Sequence, residues 1–133
     1  MVSRARGTFE VRLSPLATYN QAEGGLLGRM SIDKQFHGDL EATSKGEMLT
    51  AMGTIKSSAG YVAIERVTGA LHGRSGSFAL QHSSTMARGV PSQNITVVPD
   101  SGTGELAGLS GSMTVVIAEG KHSYEFDYEI ARS

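Results

Sequence analysis

The chain has 133 residues, 12 basic and 13 acidic, with no block of like charge; it is of single-domain size, and its balance excludes a nucleic-acid partner held by a basic face. It has no cysteine, which excludes disulfides, thiolate zinc sites and a cysteine nucleophile. Its 17 glycines, four tyrosines, four phenylalanines and lack of tryptophan point to many tight turns around an aliphatic core, with no aromatic platform for stacking bases.

In chain order, residues 1–6 are expected as a flexible N-terminal tail and 7–133 as one barrel domain. Arg4 and Arg6 are followed by no apolar stretch of signal-peptide length, and no run approaches a membrane span. A cytoplasmic protein without membrane contact is the expectation. Thr8 to Leu13 alternates, with Phe9, Val11 and Leu13 on one face, and predicts the first strand. Pro15 is expected to break it, and Leu16 to Glu23 to hold one helical turn. The second strand runs from Leu26 to His37, and Gly38-Asp39 reverses the chain. Leu40 to Thr43 and Glu47 to Met52 form the third, around an irregular Ser44-Lys45-Gly46 read as a bulge.

The clearest hairpin joins Gly60–Ala70 to Ser75–Met86 through a primed turn at His72-Gly73. Ala87 to Gln93 reads as a loop and Asn94 to Val98 as a short strand. Glu105 to Leu109 is a connector, and Ser112 to Ala118 a strand. The last strand alternates most cleanly, His122, Tyr124, Phe126, Tyr128 and Ile130 against Ser123, Glu125, Asp127 and Glu129. About eight strands with little or no helix select an all-β fold, a single closed antiparallel barrel, since closure removes exposed edges. An eight-stranded barrel can be filled by side chains or hold one small ligand.

Three stretches carry a resemblance: Tyr61 to His82 (YVAIERVTGALHGRSGSFALQH), Val97 to Leu109 (VVPDSGTGELAGL), and Phe36 to Glu41 (FHGDLE) with Gly46-Glu47. Together they resemble a bacterial family catalogued as domain of unknown function 3224. The resemblance implies a barrel similar to that of plant allene oxide cyclases, which bind an unsaturated fatty-acid epoxide and guide its ring closure. It assigns no catalytic residue here. This chain departs from the family pattern at His72, where a second glycine is common, and at His37, where a small residue is usual.

A two-residue turn at His72-Gly73 pairs Glu65 with Leu80 and Ala63 with His82, which puts Glu65 and His82 diagonally adjacent on one face with Tyr61, Val67 and Phe78. A carboxylate and an imidazole so placed could serve as acid and base; the alternative is that they satisfy one another in a plain core. Tyr124 and Tyr128 lie on the apolar face of the last strand and could offer hydroxyls to a ligand. Glu47 and Arg74 fall in the resemblance motifs and could reach the barrel mouth. The histidines at 37, 72, 82 and 122 lack metal-ligand spacing, so no metal is expected. Gly102 to Ala107 fits the loose dinucleotide pattern but precedes no helix, so no cofactor is expected. Asn94-Ile95-Thr96 is a sequon without a secretion signal.

The leading expectation is a barrel that binds a small apolar organic molecule through Tyr61, Glu65, Phe78, His82, Tyr124 and Tyr128. The alternative is a cyclase or isomerase using Glu65 and His82. A third reading is a filled barrel acting as a homo-oligomeric interaction module, with Val62 and Ile64 facing outward.

Overall fold

The computed structural model describes residues 2–20 and 26–131. Eight strands run in order around a closed antiparallel barrel: β1 (Ser3–Leu16), β2 (Leu27–Gly38), β3 (Leu40–Met52), β4 (Ala59–Leu71), β5 (Arg74–Ala87), β6 (Val90–Val97), β7 (Leu109–Ala118) and β8 (Lys121–Ile130). The alternation read from the sequence is the inside–outside alternation of the wall. On β8, Tyr124, Phe126 and Tyr128 are buried, and on β4, Ala63, Glu65 and Val67 are buried while Val62 and Ile64 face out. Cross-strand ion pairs, Arg4 with Asp127 and Arg29 with Glu47, line the outer face. The only helix of the described residues is the three-residue 3-10 turn Gly104–Leu106, and none is long and apolar enough to cross a membrane.

Several boundaries differ from the sequence expectations. Residues 3–6, expected as a tail, belong to β1 and pair with β8 from Ser3↔Tyr128 to Arg6↔Glu125. Pro15 does not end β1, where it faces Met30. The β1–β8 ladder stops at Phe9, so this part of β1 has a free edge that tolerates proline. Residues 17–20 are not helical, and the remainder of the expected helical turn lies outside the described residues. Ser44-Lys45-Gly46 is no bulge: β3 runs in unbroken register, with Ser44↔Val67, Lys45↔Arg66 and Gly46↔Glu65. The expected loop at Ala87–Gln93 is instead a tight turn at Arg88 and Gly89 (φ 48° and 88°) followed by β6. Pro91 is tolerated there because β6 pairs with β7 only through Ile95 and Thr96.

The hairpin at the centre of the chain matches the expectation. His72 and Gly73 have φ of 45° and 80°, as a type I′ turn requires, and the register pairs Glu65 with Leu80 and Ala63 with His82.

Candidate functional site

Inward-facing residues divide the barrel into two levels. One half is solid. Phe36, Leu40, Leu71, Phe78 and Phe126 are fully buried there, Phe78 stacks on Phe126 at 5.8 Å, and Leu106 enters from the 3-10 turn. In the other half the inward side chains leave a half-open cavity of about 240 Å³. Its walls are mainly apolar, among them Val11, Ile32, Met48, Ala63, Ile95 and Val115.

A buried charged cluster lies between the two levels. Glu65 is fully buried; its Oε2 accepts a hydrogen bond from Lys34 Nζ at 2.8 Å, and its Oε1 accepts one from Ser44 Oγ at 2.8 Å. His82 Nε2 lies 2.7 Å from Glu65 Oε2, yet the contact is off the line a hydrogen bond needs and leaves that nitrogen without an aligned partner. Lys34 and His82 both line the cavity. Burial alone would push the Glu65 carboxyl up; the His82 ring and the Lys34 ammonium outweigh it and hold the group at about 2. Glu65 is therefore an anion across the physiological range.

Local sequence makes room for this cluster. Glu65 faces Gly46 across β3–β4, and a Cβ there would stand 2.1 Å from the Ile64 carbonyl and 2.8 Å from Glu65 Cβ. Only glycine admits so close an approach. The ammonium of Lys34 sits 5.0 Å from the Phe9 ring centroid and 5.7 Å from that of Phe36, so two aromatic rings pack beside it.

The residues singled out from sequence part into two groups. Tyr61 and His82 line the cavity, and Glu65 lies behind its floor. Phe78, Tyr124 and Tyr128 belong to the solid half. The Tyr124 hydroxyl donates to the His37 carbonyl at 2.9 Å and accepts from the Leu40 N–H at 2.9 Å, and that of Tyr128 meets His72 Nδ1. Burial raises both phenols. Glu47 pairs with Arg29 outside the wall, and Arg74 is exposed at the hairpin turn.

Lys34, Ser44, Gln93 and His122 were not anticipated. Parity could have found the first two, since Lys34 stands between Ile32 and Phe36 in the inward phase and Ser44 two residues after Ala42. His122 lines the rim, its ring 5.1 Å from that of Phe9.

The profile of a family described as protein of unknown function (DUF3224) matches residues 5–128. A crystal structure of a protein with unknown function from the DUF3224 family of Shewanella oneidensis MR-1 is 49% identical, with a TM-score of 0.96, and all of each chain is covered. No curated protein matches.

Proposed function

We propose, for a chain that belongs to the DUF3224 family, that it binds a small, largely apolar organic molecule inside the barrel. One observation carries the reading: an apolar cavity of about 240 Å³ ends on a buried Lys34–Glu65–His82 cluster. A cavity of about 150 Å³ lined by aliphatic and aromatic side chains stays dry and takes up benzene, so this one suits roughly ten non-hydrogen atoms. A few convergent polar groups at the end of an apolar wall are the usual composition of a small-molecule site.

The same geometry favours binding over acid–base catalysis by Glu65. A carboxyl held at about 2 is a weak base near neutral pH, and both of its oxygens are engaged behind the floor. Its role in this reading is to hold Lys34 and His82 in place.

The test is the addition of octan-1-ol to methyl-labelled protein, followed by NMR. Methyl resonances of Ile32, Ile95, Val115 and Ile117 are expected to shift, and those of Leu40, Leu71 and Leu109 to stay in place. Shifts confined to the outward Leu49, Val62 and Ile64, or none at all, would overturn the proposal.

A further inference from the structure

The floor of the cavity presents donors. Among the described residues, Glu65 is the only oxygen partner of Lys34 Nζ, and an ammonium carries three N–H groups. His82 is buried, lines the cavity and has a ring nitrogen without an aligned partner. The one carboxylate of the cluster has no exposed surface, and its oxygens turn toward Ser44, Lys34 and His82. A molecule reaching this floor meets an ammonium and an imidazole, each with hydrogen-bonding capacity to spare.

Resting on the binding reading above, we infer that the molecule is a small monocarboxylate, its hydrocarbon part against Ile32, Ile95 and Val115 and its carboxylate on Lys34 and His82. A neutral acceptor would satisfy the donors, but an ion also gains charge-assisted hydrogen bonds, roughly twice as strong as neutral ones. An amine would meet the Lys34 ammonium with like charge.

Octanoate, octan-1-ol and octylamine, which share one chain length, are titrated into the intact protein by calorimetry at pH 6.5. Octanoate is expected to bind at least about tenfold more tightly than octan-1-ol at pH 6.5. The double substitution Lys34→Met with Glu65→Gln removes both charges, so neither is stranded. It should bring octanoate down to the level of octan-1-ol while the protein keeps its folded amide spectrum. Equal binding of alcohol and acid, or tighter binding of the amine, overturns the inference while the cavity reading stands. Binding of none of the three overturns both.

Discussion

The two halves of this barrel are built from the same eight strands under the same inward–outward alternation, yet one is solid and the other hollow. On β8 and β5 the solid half receives Phe126, Tyr128 and Phe78, and the 3-10 turn adds Leu106. At the cavity level the inward positions hold Ala63 and Met48, and the two levels meet at Gly46 and Ser44. Alternation decides which residues face in; their volume decides whether the space closes. The charged cluster lies at this boundary, where apolar walls remove water from Glu65 while Lys34 and His82 still border open volume.

The largest expected contrast is in stability. Phe126→Ala opens a hole in the packed half and is expected to cost about 3–5 kcal/mol in chemical denaturation. Ile117→Ala, at the exposed rim of the cavity, should stay within about 0.5 kcal/mol. Similar losses at the two positions would mean that the cavity half is as tightly packed as the other. Breaking the boundary itself should cost nearly as much: Lys34→Met strands the Glu65 carboxylate, a loss of about 3–5 kcal/mol, and adding Glu65→Gln should recover most of it. A double variant no more stable than Lys34→Met would mean that the two side chains contribute independently.

Acid should act on the same boundary. Because the folded Glu65 carboxyl lies at about 2, below its unfolded value of 4.5, its contribution is fully present above pH 4.5 and is lost as the pH falls toward 2. The fall from 4.5 to about 2 corresponds to about 3 kcal/mol. Urea denaturation at pH 6 and pH 3 should show about 2 kcal/mol of this loss in wild type, since pH 3 still lies above the folded value, and much less of it in the Lys34→Met, Glu65→Gln protein. A smaller effect is expected from filling the cavity. Ala63→Leu should change stability by no more than about 1 kcal/mol while abolishing the octan-1-ol shifts at Ile95 and Val115; unchanged shifts would place the bound alcohol elsewhere.

The barrel was legible because its strands alternate and its turns carry their own chemistry. His72-Gly73 fixed the register of β4 on β5, and with it the meeting of Glu65 and His82. The errors cluster where tertiary pairing overrides a local signal. Pro15 and Pro91 lie in strands because one neighbouring ladder has already ended beside each of them. Ser44-Lys45-Gly46 looks irregular only until Glu65 is seen to need the space above Gly46. Lys34 was missed because a lysine among alternating residues reads as solvent-facing, and only its phase with Ile32 and Phe36 turns it inward. Tyr124 and Tyr128 share the inward phase with ligand-facing positions, and nothing local to β8 says on which side of the boundary each falls.

The seam between β6 and β7 departs most from a continuous wall, and it borders the cavity. Its ladder holds only Ile95↔Met113 and Thr96↔Ser112. On the solid side the connector after β6 lies along β5, with Val98 N–H on the Ala79 carbonyl and Thr103 N–H on the Ser77 carbonyl. On the cavity side the Gln93 side chain stands in for a strand: its Nε2 donates to the Val115 carbonyl at 3.2 Å, and its Oε1 accepts from the Val115 N–H at 2.8 Å. A side-chain amide reproduces the donor–acceptor pair of a peptide unit, so it can bridge strands that have splayed too far for backbone pairing. These bonds are exposed, and a net hydrogen bond contributes about 0.5–1.5 kcal/mol, so Gln93→Ala should lower global stability by about 1 kcal/mol or less. Its main effect should be local: the Val115 amide exchanges faster with solvent while amides in the β4–β5 ladder keep their protection. Equal acceleration across both ladders would mean that the seam opens only when the whole barrel does, and the two halves would then be one cooperative unit.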